Sequence, residues 1–199
     1  MAVHIDITVI VAAAVIVVIA IFLCLLLLLA KHRRSSQYRI EKVLKPLRRE
    51  EVKNIVIPDG IGGMLEVEHL ILMDQGLLLI ETYPMSGHLF GGEKIDHWTQ
   101  IQKGRSYSFA NPLRHIRTSR QALMSLTPNI PIQYRIIFSA QASFPKGKPE
   151  QVSVLDSLLT DMEDVQSGPL ITGLAQQAWD SILGISRKID KSNEVGEEI

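Results

Sequence analysis

The sequence predicts a mixed α/β domain carried behind an N-terminal transmembrane helix. Three observations predict it. An unbroken apolar run occupies residues 7–30, apolar residues then alternate over 52–82 in the manner of strands, and an Asn-Pro helix start at 111–112 precedes another strand-like run at 132–140. The expected order after the anchor is helix, three-strand antiparallel meander, helix, strand and further helices.

The anchor is read first. From Ile7 to Ala30 the only polar residue is Thr8, apart from Cys24, which acts as a small hydrophobe. As a helix the run spans roughly 36 Å, enough for a hydrocarbon core of about 30 Å. A cleaved signal peptide fits less well, because the start lacks a positive n-region and the basic cluster Lys31-His32-Arg33-Arg34 follows the apolar run. The positive-inside rule then places the N-terminus outside and the remaining residues in the cytoplasm, as in a single-pass protein of a bacterial inner membrane, with the membrane itself as a partner. The lone cysteine leaves no disulfide within the chain. Lys and Arg number 21 against 21 Asp and Glu, so no long-range field draws the chain toward nucleic acid or anionic lipid. Any such binding needs a local patch.

Residues 31–38 read as a basic juxtamembrane linker. Ile40, Val43, Leu44 and Leu47 have helical spacing, with Pro46 set to end or kink the helix. Val52 to Ile57 is β-prone. In 65–73, Leu65, Val67, His69 and Ile71 alternate with Glu66, Glu68, Leu70 and Leu72. A tight turn at Asp74-Gln75-Gly76 leads to the almost wholly apolar 77–82, a strand buried on both faces. Glycines at 87, 91 and 92 mark a loop over 85–95, with a short strand at 88–90. Asn111 is a good N-cap and Pro112 a good first helical residue, for a helix to about residue 126. Residues 132–140 follow that helix and are expected to pair in parallel with an earlier strand. Residues 152–162 and 170–189 read as helices, and the acidic tail 191–199 as a flexible end.

The acids of the meander carry the chemical interest. Glu66 and Glu68 are expected on one side of their strand, because side chains repeat every two residues. Glu81 ends a buried strand, an expensive place for an unpaired charge. The tight turn lets Glu68 and Glu81 approach, and a divalent cation such as Mg²⁺ would relieve their repulsion and activate water. Solvent-facing carboxylates at strand ends are the alternative. Arg114, Arg117 and Arg120 recur along one helix, after Lys103 and Arg105, and together offer cations to phosphates. A solvated helix face is the simpler reading of them. His97 and His115 have metal-ligand chemistry but stand alone in sequence, and Trp98 and Phe109 read as core or loop anchors.

The stretches Val67-Glu68-His69-Leu70, Asp74-Gln75-Gly76-Leu77-Leu78-Leu79-Ile80-Glu81-Thr82, Gly87-His88-Leu89-Phe90-Gly91, Trp98-Thr99-Gln100, Tyr107-Ser108-Phe109 and Asn111-Pro112-Leu113-Arg114, in that order, resemble the nuclease-related domain (NERD) family. The resemblance covers roughly residues 38–160 and implies a divergent restriction-endonuclease-like fold. It divides the chain into an anchor (1–30), a linker (31–38), the nuclease-related domain (39–163), a helical extension (164–190) and the tail. It further implies that a helix-one glutamate falls on Glu41. The aspartate of an Ile-Asp-His-Leu motif falls on Glu68, and the acid of a Glu-Thr-Lys motif on Glu81. The lysine of that motif falls on Tyr83, and helix positions that read Gln, Asn and later His in the family are His115, Ile116 and Ser119.

These departures imply weak or lost cleavage. Tyrosine is neutral at pH 7 and supplies no cation, and the longer acid at 68 shifts a metal by up to about 1 Å, a misplacement that costs ~10²-fold in rate. Lys94, Lys103 and Arg114 are the candidate substitute cations, with Lys94 nearest the site loop. The implied function is nucleic-acid or partner binding by a degenerate Mg²⁺-dependent nuclease. The alternatives are an active nuclease with a rearranged site and a structural or signalling adaptor without nucleic-acid contact.

Overall fold

The computed structural model describes residues 16–24, 26–27, 36–163, 165 and 168–188. It divides into two units, 1–42 and 43–199. In the first unit the expected membrane-spanning helix is corrected. Among the described residues no helix is long and apolar enough to cross a membrane. The single-pass placement, the cytoplasmic orientation and the membrane partner lose their support with it. Residues 7–15, 25 and 28–35 of the expected anchor and linker, and the tail 191–199, lie outside the described residues.

Helix α1 (Ser36–Leu44) ends two residues before Pro46, whose ring disfavours helix before it. Three antiparallel strands follow: β1 (Glu50–Pro58), β2 (Met64–Met73) and β3 (Gly76–Tyr83). Asp74 and Gln75 alone form the loop between β2 and β3, since Met73 pairs with Gly76. Further along are β4 (Gly87–Phe90), β5 (His97–Gln102), β6 (Arg105–Ala110), α2 (Pro112–Leu126), β7 (Ile132–Phe138), β8 (Ala142–Ser143), β9 (Val152–Val154), α3 (Leu158–Asp161), α4 (Thr172–Ile185) and β10 (Arg187–Lys188). One sheet has the order β10-β1-β2-β3-β7-β9, the other β6-β5-β4-β8.

The mixed α/β character and the meander hold, and β7 pairs with β3 in parallel as its position after a helix requires. Other expectations change. Residues 152–162 form a three-residue strand and a single helical turn, because Val152 adds to the sheet beside Ile136. The helix expected over 170–189 ends at Ile185, and Arg187 and Lys188 pair with β1. Helix α4 is part of the core, to which it gives Ala175, Trp179 and Ile182.

The alternation on β1 and β2 inverts partway. The core takes Val52 but then Ile55 and Ile57 from β1, and Leu72 and Leu70 but then Val67 from β2. The ladder runs to Lys53 opposite His69 and resumes at Ile55 opposite Val67. At the break Asn54 has φ 51°, a left-handed conformation that asparagine tolerates better than most residues. Glu68 sits across from it, at the point where the simple alternation read from the sequence fails.

Two contacts fix the loop that leads to α2. The Asn111 side chain accepts from Leu113 N (2.9 Å) and donates to the Ile95 (2.7 Å) and Gly92 (3.1 Å) carbonyls, so one residue caps the helix and ties down the loop. Gly91 lies against Trp98, and a Cβ there would come 2.1 Å from the indole ring. Trp98 in turn stacks on Phe138 at 6.1 Å and meets Phe109 edge-on, which joins the second sheet to the core.

Candidate active site at the end of β3

Parallel pairing with β7 places Glu81 opposite Ile136 near the carboxyl end of β3. Its side chain shares a face with Leu77, Leu79 and Tyr83 by the period of two, and helix α2 covers that face through Leu113 and Ile116. The Glu81 carboxylate is buried, and both of its oxygens are engaged. His115 Nδ1 lies 2.7 Å from Oε1, and the Tyr83 hydroxyl donates to Oε2 at 3.3 Å.

These contacts set the protonation states. The bond to Glu81 raises the His115 pKa above its ordinary 6.5. Burial opposes the rise, and the charges of Glu81 and Glu66 add to it. Burial pushes the Tyr83 phenol well above its ordinary range. The Glu81 charge, the bond to Glu81 and the Glu68 charge push it further. Tyr83 is therefore a neutral donor at pH 7, and the contact with Glu81 favours the protonated form of His115.

Glu68 is held differently. Thr82 N donates to its Oε2 at 2.7 Å and Thr82 Oγ1 to its Oε1 at 2.5 Å. His69 Nε2 lies 3.6 Å from the same Oε1, and His69 Nδ1 lies 2.8 Å from Glu51. Thr82 projects to the face of β3 opposite Glu81 and Tyr83. The long Glu68 side chain thus reaches across the end of the ladder to the Thr82 side. Neighbouring strands bring the two acids to one end of the sheet, but the two carboxylates share no hydrogen-bond partner in these contacts.

The two carboxylates do not stand together as a ready divalent-ion site, because Glu81 turns to His115 and Tyr83 while Glu68 turns to Thr82. Among the described residues, no group of three or more His, Cys, Asp or Glu side chains is set to hold a metal.

The remaining expected residues are dispersed. Glu41 is half-buried on α1, in the unit 1–42. Lys94 is exposed in the turn before β5, and no hydrogen bond or ion pair joins it to Glu68 or Glu81 among the described residues. Arg114 pairs with Asp96 at 2.5 Å, both well exposed. Arg117 donates to the Tyr134 hydroxyl (3.0 Å) and pairs with Glu93 (3.0 Å). Arg120 donates to the Ile132 carbonyl (2.7 Å), its guanidinium 5.9 Å from the Tyr134 ring centroid. Two of the three helix arginines thus fasten α2 to β7 and to the preceding loop. Arg105 is exposed on β6. Sequence reasoning missed Thr82 as the partner of Glu68 and the Glu81–His115 pair. The second had a signal, a histidine in the first turns of a helix that must cross the end of a buried strand carrying an acid.

Comparison with known proteins found one relative and one family. An uncharacterized protein of Bacillus anthracis is 26% identical over 105 residues, which cover 51% of this chain and 46% of that relative, so the match spans under half of the relative's length. No solved structure matches the chain. The nuclease-related domain model matches residues 32–139, from before α1 to just past β7, and the chain belongs to that family, within the restriction-endonuclease-like superfamily.

Proposed function

We propose that this chain binds nucleic acid through its nuclease-related domain and has weak or no metal-dependent cleavage. Family membership supports the nucleic-acid half of the reading. The single observation behind the other half is the closed set of contacts at Glu81. At the place where a nuclease of this kind uses a lysine, Tyr83 donates a neutral hydroxyl to the acid, and His115 holds the opposite oxygen. Position 83 supplies no cation to offset charge on a scissile phosphate, and both oxygens of Glu81 already have partners. Glu68, turned to Thr82, leaves no pair of acids to clamp a metal.

The test is incubation of the full chain with labelled single-stranded DNA, duplex DNA and RNA, with Mg²⁺, Mn²⁺ or EDTA. Retention without cutting is the expected result. Metal-dependent cutting that disappears in Glu81→Ala would overturn the loss of activity and leave an active nuclease with a rearranged site. One observation favours a partner-binding adaptor as a second reading: Arg117 and Arg120 are spent on internal bonds in a chain with no net charge. Failure to retain any nucleic acid at low salt would select that reading.

A further inference from the structure

The second sheet lies in a stretch poor in acids, since no Asp or Glu occurs between Asp96 and Glu150, and α2 and β7 share this property. None of the residues of β4, β5, β6 and β8 is acidic. The two acids of the loop before β5 that lie nearest α2 are committed, Glu93 to Arg117 and Asp96 to Arg114. The β5–β6 hairpin is joined by Lys103 and Gly104, both with positive φ (50° and 73°), as a two-residue turn of type I′ requires. Lys103 and Arg105 are exposed, and among the described residues no hydrogen bond or ion pair holds either side chain.

The hairpin is also fixed in place. Gln100 Nε2 donates to the Ser86 carbonyl at 2.7 Å, and Gln102 donates to the Ser86 hydroxyl. Ser86 is three residues beyond Tyr83, so the hairpin is tied to the segment that leaves the end of β3. Arg105 and Tyr107 stand on the same face as Gln102 and Gln100, their cross-strand partners. Tyr107 is 46% exposed, with no hydrogen bond holding its hydroxyl among the described residues. A rigid ribbon therefore presents an aromatic ring beside a guanidinium, with an ammonium at the adjoining turn.

We propose that this hairpin is the nucleic-acid contact of the domain, and that it takes a single strand, with a base stacked on Tyr107 and phosphates at Lys103 and Arg105. Single-strand binders combine these two elements, an aromatic platform and a cationic track. In a duplex the bases are paired and stacked inside, out of reach of one tyrosine. The inference rests on the nucleic-acid reading above and names the surface and strandedness that serve it. It also explains how a chain of zero net charge holds a polyanion, since the acid-free sheet supplies a local patch.

The experiment is fluorescence anisotropy of the full chain with labelled oligonucleotides of about 16 nucleotides in EDTA across a salt series. The arms are single-stranded DNA, single-stranded RNA and duplex DNA. Expected is tighter binding of the single strands. K103S/R105S loses about tenfold in affinity, and its log–log salt slope falls by about 1.4, the share of two phosphate contacts on a single strand. Tyr107→Ser loses about tenfold with the salt slope kept, while Tyr107→Phe keeps its affinity. All three positions are exposed, and unchanged thermal midpoints separate a binding loss from misfolding. Wild-type binding that K103S/R105S and Tyr107→Ser leave untouched would overturn the hairpin and spare the nucleic-acid reading. Equal or better binding of the duplex would overturn the single-strand assignment. No binding by the wild type in any arm would overturn both.

Discussion

The six-stranded sheet and the four-stranded sheet share a chain but are stabilised in different ways. In the first, β3 runs Leu77, Leu78, Leu79 and Ile80 with every side chain buried, because helices or loops cover both faces. In the second, most of β6 is exposed, and the sheet reaches the core through Leu89 and Trp98. The first sheet is therefore held by removal of apolar surface from water. The second buries Leu89, Trp98 and Ala142 in the core but leaves its β5–β6 hairpin to backbone pairing, a tight turn and the two glutamine bonds to Ser86. Stability and binding chemistry are thus separated in space, and residues of the second sheet are free to serve a ligand. The sharpest way to break this comparison is a pair of truncations. Phe138→Ala, in the aromatic stack with Trp98 and Phe144, is expected to cost about 3–5 kcal/mol by urea unfolding. Tyr107→Ser is expected to stay within about 0.5 kcal/mol of wild type. A loss above about 2 kcal/mol in the second variant would mean that the hairpin is structural.

The same contrast explains what the sequence revealed. Strands β1, β2, β3 and β7 were legible because burial writes itself as apolar runs and alternation. Residues 97–102 and 105–110 were not, since HWTQIQ and RSYSFA are polar enough to pass for loop, and their pairing depends on Lys103 adopting a positive φ. The inversion at Asn54 was equally hidden, because a residue in left-handed conformation leaves no mark on periodicity. The apolar run near the N-terminus had the composition of a membrane span. Among the described residues no helix is long and apolar enough to cross one. For the candidate site, the sequence placed Glu81 at the end of a buried strand, and that is where it is. Where Glu68 turns could not be read, since it depends on a side chain reaching Thr82 rather than on strand register.

Within the first sheet the two acids also differ, Glu81 buried against His115 and Glu68 held by Thr82 with His69 3.6 Å away. The Glu81–His115 contact should report on pH. The His115 pKa is raised in the folded chain. Its contribution to stability is thus fully present below the unfolded value of about 6.5, and it is lost as pH rises through the folded value. Half the imidazole is exposed, so solvent screening holds the effect to about 1 kcal/mol or less. Wild type should exceed His115→Gln in stability at pH 5.5–6 by more than it does at pH 8.5–9, read from urea midpoints at each pH. A gap that is constant across the range, or that widens on the alkaline side, would show that the imidazolium is not what balances Glu81.

The smallest expected effect lies on α2, where three arginines of one helix divide by exposure. Arg117 and Arg120 are anchored to Tyr134 and to the Ile132 carbonyl. The Arg114–Asp96 pair is on the surface, and long side chains held in solvent lose in entropy most of what they gain in attraction. Asp96→Ala should therefore change stability by no more than about 0.5 kcal/mol, while it releases the Arg114 guanidinium. If α2 lies along the path of a bound strand, that variant gains affinity and its salt dependence steepens by less than one phosphate contact. If the hairpin alone makes the contact, Asp96→Ala leaves anisotropy titrations unchanged, and the helix arginines are left with the fastening of α2 as their whole role.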